Sequence, residues 1–158
     1  MTKYVFGILV ANRFGVLTRV SSMFTRRGFN IDTLTVGETQ SPEFSRITIS
    51  MVGDEYSKTQ IIKQLGKLHD VKQVEVTREL LLIKIKNDSA TRQDVLSAVD
   101  VFRSKIVDYS PDALCIEITG ESSKINAFIE LVKPYGIMEM CRTGLVALER
   151  GGNCLGCD

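Results

Sequence analysis

The chain has 158 residues, 44% of them apolar, and carries 20 basic against 19 acidic side chains, for a formal net charge of +1. That length fits one domain or two small ones. The balanced charge argues against the basic surface of a nucleic-acid protein, and no apolar run reaches the roughly 20 residues of a transmembrane helix.

The opening Met1-Thr2-Lys3 enters strand material almost at once, without a signal peptide's apolar stretch. This predicts a cytoplasmic protein with no membrane partner. Four cysteines form no obvious disulfide framework in a chain of this size.

Residues 3–10 read as a first strand. Val16, Val20, Met23 and Phe24 then repeat at helical spacing, predicting a helix from Gly15 to about Arg27. Arg26 and Arg27 suit the negative end of its dipole, and Gly28 reads as its C-terminal cap. Asn30 opens a second strand, Ile31 to about Glu38, and a loop with Pro42 leads to a third, Ser45 to Val52. Ser57-Lys58-Thr59-Gln60 has capping-box spacing, so a second helix is expected to open there. A fourth strand is expected over Val71 to Arg78.

The order βαββαβ is that of a ferredoxin-like unit, four antiparallel strands with two helices on one face. The early strands carry apolar residues on both parities (Val5 beside Phe6, for example), so a partner surface is expected on the helix-free face. The second half repeats the scheme. Leu81, Ile83 and Ile85 alternate, a helix carries Val95, Ala98, Val99 and Phe102, and Leu114, Ile116 and Ile118 alternate again. A last helix carries Ile125, Phe128, Ile129 and Val132 and stops at Pro134. The fold expected is α+β, two ferredoxin-like βαββαβ domains over residues 1–78 and 79–150, with a Gly-rich, mobile tail at 151–158.

The stretch that could carry function is Asn12-Arg13-Phe14-Gly15-Val16-Leu17, where a strand gives way to a helix. A helix N-terminus leaves backbone N–H groups unpaired and carries partial positive charge, which suits a small carboxylate. Gly15 would let a ligand approach the backbone, and Leu17 would supply apolar wall. Turn chemistry alone also accounts for Asn and Gly at such a joint. A catalytic site is not legible. The single histidine, His69, has no recognisable nucleophile or carboxylate partner, and no phosphate loop or dinucleotide fingerprint occurs. The Cys154-Leu155-Gly156-Cys157 pair has half the ligands of a structural zinc site and lies at the chain end, so no role is assigned to it.

Asn12 to Leu17, followed by Phe24-Thr25-Arg26-Arg27-Gly28-Phe29-Asn30-Ile31-Asp32-Thr33-Leu34-Thr35-Val36-Gly37, resembles the ACT domain of the small, regulatory subunits of acetolactate synthase. Leu81-Leu82-Ile83-Lys84 and Arg142-Thr143-Gly144-Leu145-Val146-Ala147-Leu148 resemble the C-terminal domain of the same family. The resemblance implies a non-catalytic chain that activates a large catalytic subunit and confers feedback by valine, leucine or isoleucine. It implies no cofactor on this chain, with thiamine diphosphate, magnesium and FAD on the catalytic partner. It also implies a homodimer through the ACT domains, with effector at the interface. By position, Asn12, Gly15, Val16 and Leu17 would line one side of that pocket, and Asn30 and Ile31 of the other protomer the second. Two alternatives stand beside it, a free-standing amino-acid sensor and an RNA-binding ferredoxin-like protein. The second would need exposed aromatics on the central strands, where Arg46, Thr48 and Ser50 stand instead.

Overall fold

A computed structural model describes residues 1–156. It contains two compact units, one built from residues 1–77 together with 145–156, the other from Arg78–Gly144. Residues 145–150, expected with 79–144 in the second unit, belong to the first, and the join expected after 78 falls after 77.

In the first unit the elements run β1 (Thr2–Ala11), α1 (Val16–Thr25), β2 (Thr33–Glu38), β3 (Phe44–Gly53), α2 (Glu55–Leu65) and β4 (Asp70–Gln73). The strands form an antiparallel sheet in the order β2-β3-β1-β4, the ferredoxin-like arrangement expected. Period-2 alternation aims Tyr4, Phe6, Ile8 and Val10 of β1 and Ile47, Ile49 and Met51 of β3 at the helices. Val20 and Phe24 of α1 and Ile61 and Leu65 of α2 close this core. Gly28 has φ of 70°, and behind it the Phe29 N–H returns to the Phe24 carbonyl at 3.0 Å, the six-to-one bond of a glycine-capped helix end.

The structure moves several boundaries. Helix α1 ends at Thr25 rather than Arg27, and β2 begins at Thr33 rather than Ile31. Helix α2 opens two residues before Ser57, because Asp54 is the cap. Its Oδ1 accepts from the Ser57 N–H at 2.8 Å and the Ser57 hydroxyl at 2.6 Å. The strand expected over Val71–Arg78 is two strands, β4 and the start of β5 (Val76–Lys86).

The helix-free face of this sheet is covered from within the chain. Leu145, Ala147 and Leu155 are buried, Ala147 lying on β9 (Val146–Leu148). The Arg46 guanidinium donates through Nε and Nη2 to the Ala147 carbonyl at 3.1 and 2.8 Å. Burial lowers the Arg46 pKa, and the nearby Glu149 carboxylate partly offsets this. Lys72 Nζ donates to the Cys154 carbonyl at 3.1 Å, and the Gly156 N–H donates to Asp70 Oδ2 at 2.8 Å. Gly7 lies beneath. A Cβ placed there would come within 2.7 Å of Arg46 Nη2 and 3.1 Å of Leu155 Cδ1, so a side chain here would press the guanidinium away from the Ala147 carbonyl. The residues expected to be a tail thus form a strap across β1 and β4, up to Gly156. Cys157 lies outside the described residues.

The second unit continues β5 and adds α3 (Arg92–Val101), β6 (Lys105–Tyr109), β7 (Ala113–Gly120), α4 (Ser122–Val132) and β8 (Ile137–Arg142). Its strands run β6-β7-β5-β8, the same order as in the first sheet. Leu81, Ile83, Ile85, Leu114, Ile116 and Ile118 face Val95, Val99, Ile125 and Phe128 across one core. Phe102 and Phe128 meet edge to face with centroids 5.3 Å apart. A 3-10 turn at Lys133–Tyr135 takes up Pro134 after α4.

Candidate functional site

The turn between β1 and α1 is held by its neighbours. The Asn12 N–H donates to the Glu43 carbonyl at 2.8 Å, and Asn12 Nδ2 donates to the Pro42 carbonyl at 3.0 Å. Asn12 therefore fastens this turn to the β2–β3 connection. Gly15 follows with φ of 81°, a left-handed conformation that L side chains adopt at a cost. The first helical bond of α1 runs from the Arg19 N–H to the Gly15 carbonyl at 3.0 Å. The N–H groups of Val16, Leu17 and Thr18 precede it, and no side chain caps them. A Cβ at Gly15 would meet nothing within 4 Å, so the helix end opens to solvent.

An open groove of about 730 Å³ runs beside this end, walled by Leu9, Ala11 and Phe44 below and Arg13, Phe14, Gly15, Val16 and Arg19 along one flank. Leu68, His69 and Asp70 close the other. Of the six residues expected to bind an effector, the structure brings Gly15 and Val16 to the groove. Asn12 and Leu17 stand next to it in sequence but outside its wall, and Asn30 and Ile31 are outside it as well. Asn30 is exposed and Ile31 packs against the core beyond the far end of α1. The two sets stand at opposite ends of α1, whose ten residues rise about 15 Å. One protomer cannot fold both around one small ligand.

Arg13, Phe14, Arg19 and His69 belong to the groove and were missed as a set. Arg13 and Phe14 lay inside the motif already singled out. Arg19 is four residues beyond Gly15, one turn along the same helix face. His69 had no local signal, because α2 and β4 bring it there. Its N–H donates to the Leu65 carbonyl at 2.9 Å, while its Nε2 is buried without a hydrogen-bond partner.

Burial lowers the His69 pKa, and the positive charge of Arg19 lowers it further. The folded state thus disfavours the imidazolium. Above the unfolded value of about 6.5 both states are neutral and stability is unaffected. As pH falls below that value, the unfolded chain takes up the proton first and stability declines toward the lower folded pKa. Thermal unfolding followed from pH 7.5 to 5 is expected to show a falling midpoint, and His69→Gln to flatten the fall. An equal slope in the variant would show that His69 does not contribute.

No helix is long and apolar enough to cross a membrane among the described residues.

Two family models account for the chain. One, described as the AHAS small subunit-like ACT domain, matches residues 6–73, and one described as the small subunit of acetolactate synthase matches residues 78–151. A probable acetolactate synthase small subunit of Methanothermobacter thermautotrophicus is 44% identical over 160 aligned positions, covering 96% of this chain and 95% of the relative. The acetolactate synthase small subunit of Aquifex aeolicus is 45% identical, covering 94% and 81%. The crystal structure of the Thermotoga maritima small subunit superposes with a TM-score of 0.89 at 39% identity, over 97% of this chain and all of that one. The chain belongs to the family of acetolactate synthase small subunits, the regulatory, ACT-domain subunits of that enzyme.

Proposed function

We propose that this chain binds the catalytic large subunit of acetolactate synthase in the cytoplasm, raises its activity, and makes it sensitive to valine or another branched-chain amino acid. The uncapped N-terminus of α1 carries this reading. Three backbone N–H groups lie ahead of the first helical bond, beside a glycine whose missing side chain leaves the approach open. A carboxylate fits there, and Leu17, exposed next to it, offers an apolar surface to an aliphatic side chain.

The second wall comes from another protomer. Strand β2 is an edge of its sheet, and its Leu34 and Val36, in register with the buried Ile49 and Ile47, are themselves exposed. An exposed apolar edge strand suits pairing with a second copy. Such a homodimer would supply Asn30, whose side-chain oxygen can accept from the effector's ammonium, and Ile31 for its aliphatic part. Residues 1–78 are the effector-binding unit in this reading. Thiamine diphosphate, magnesium and FAD belong to the catalytic partner.

Calorimetric titration of the purified chain with valine tests it, with leucine, isoleucine and glycine for comparison. Saturable valine binding is expected, weakened about tenfold or more in Asn30→Ala through loss of one charge-assisted hydrogen bond. If valine binds neither the isolated chain nor its complex with the catalytic subunit, the feedback reading fails.

A further inference from the structure

The strap across β1 and β4 contains a disulfide. Cys154 is joined in one, while Cys115 and Cys141 are free thiols. The chain has four cysteines, which leaves Cys157. The residues between the two agree with that pairing. Leu155 and Gly156 form a turn, and Gly156 has φ of 74°, the left-handed value that a type II turn requires of its third residue. Such a turn holds its first and fourth Cα atoms within about 7 Å, which a disulfide can span.

The contacts beside the bond show what it holds. Strand β4 is only four residues long and stands at the edge of its sheet, next to β1 alone. Two strap groups supplement that pairing. The Cys154 carbonyl accepts from Lys72 Nζ at 3.1 Å, and the Gly156 N–H donates to Asp70 Oδ2 at 2.8 Å, both partners lying on β4. Between them Leu155 is buried over Gly7 of β1. Three consecutive strap residues thus fasten the edge strand to its neighbour. Asp70 also lines the groove beside α1, which places the strap one hydrogen bond from that groove.

We infer that Cys154 and Cys157 form a reversible redox site that sets how firmly the strap grips β4. A cross-link stabilises a fold more the longer the loop it closes, and a loop of four residues is near the shortest possible. Such a bond adds little to the stability of the whole chain and acts where it stands. It is within reach of a reagent, since Cys154 is half-buried and Asn153 and Gly156 beside it are exposed. Accessible disulfides are the labile ones.

The reaction is thiol–disulfide exchange with a small cellular thiol, for which glutathione serves. One glutathione thiolate attacks a sulfur of the bond and forms a mixed disulfide, and the other cysteine leaves as a thiolate and takes up a proton. A second glutathione thiolate attacks the glutathione sulfur of the mixed disulfide, releases the remaining cysteine and departs as glutathione disulfide. Two electrons and two protons pass from glutathione to the chain, whose cysteines end as thiols. Without the bond, Leu155 and two hydrogen bonds alone hold the strap, and β4 opens more often. Neither valine nor the catalytic subunit takes part, so the inference stands or falls independently of the proposed function.

The test equilibrates the full chain in glutathione buffers from fully oxidised to fully reduced and then alkylates it. Trypsin cuts after Arg150 and releases residues 151–158, which hold Cys154 and Cys157 and no other cysteine. This peptide is expected to pass from no alkyl groups to two as glutathione rises over glutathione disulfide. Across the same buffers, hydrogen exchange of the β4 amides is expected to quicken on the order of tenfold, with β7 of the second unit unchanged. Cys154→Ser combined with Cys157→Ser should show the faster exchange in every buffer. A peptide that is alkylated twice, or that carries glutathione, in the oxidised buffer overturns the pairing. One that stays unalkylated in the reduced buffer marks a fixed cross-link and overturns the inference as well. Equal β4 exchange in the two states overturns the hold of the bond on that strand.

Discussion

Gly15→Asp is expected to remove effector binding while leaving the chain folded and able to engage its catalytic partner. Gly15 has φ of 81°, a conformation that Asp adopts occasionally and at less cost than most L residues. No heavy atom lies within 4 Å of the position its Cβ would take, so the substitution meets no steric obstacle. The strain is about 1 kcal/mol. What changes is the electrostatics of the helix end. An aspartate there places a full negative charge beside the N–H groups of Val16, Leu17 and Thr18, where it competes for them and repels an incoming carboxylate. Losing those contacts and adding repulsion should weaken valine binding at least about a hundredfold, near 2.7 kcal/mol. Calorimetry on wild type and variant reads it directly, and thermal unfolding confirms the fold. An unchanged valine affinity would exclude this helix end as the carboxylate site. A loss matched in Gly15→Ala would show that bulk, not charge, is responsible.

The contrast between this helix end and the rest of the groove shows what a sequence displays. Strand alternation over Leu81, Ile83 and Ile85 and helical spacing over Ile125, Phe128 and Val132 are local consequences of backbone geometry, and all six residues are buried. Gly28 and Gly15, both with positive φ, are legible for the same reason. Competing local signals are harder. Asp54 and Ser57 are both good caps, and the sequence offers Ser57-Lys58-Thr59-Gln60 with as much force as Asp54, which folding selects through its hydrogen bonds to Ser57. The β4–β5 junction has neither Gly nor Pro at Val74-Glu75, so two strands read as one.

Long-range features were out of reach. The apolar residues on both parities of β1 show that its second face needs a cover. Nothing local shows that Leu155, about 150 residues away, supplies it over Gly7. The same holds for His69, which reaches the groove because α2 and β4 fold beside α1.

The ion pair between Glu79 and Arg142 in the second unit carries the other large effect. Glu79 stands near the start of β5 with its side chain 2% exposed, and Arg142 ends β8 with its side chain 34% exposed. Arg142 Nη2 donates to Glu79 Oε1, and Arg142 Nη1 donates to Asn126 Oδ1 of α4 at 2.9 Å. A strand edge and a helix are thus tied through one guanidinium. Arg142→Ala removes the counter-charge and leaves a carboxylate out of water, which costs about 3–5 kcal/mol for a fully buried pair. The partial exposure of Arg142 lets water reach the carboxylate, so the expected loss is about 3 kcal/mol, a large share of a domain's total stability. Two units in one chain need not unfold in a single step. Hydrogen exchange of the β5 and β8 amides isolates the second unit, and faster exchange by about a hundredfold corresponds to that loss. Glu79→Leu with Arg142→Met, which removes both charges together, should recover most of it, because a buried pair replaced by packed apolar side chains need not destabilise. If the single variant exchanged at the wild-type rate, the guanidinium would not be what keeps the Glu79 carboxylate inside the fold.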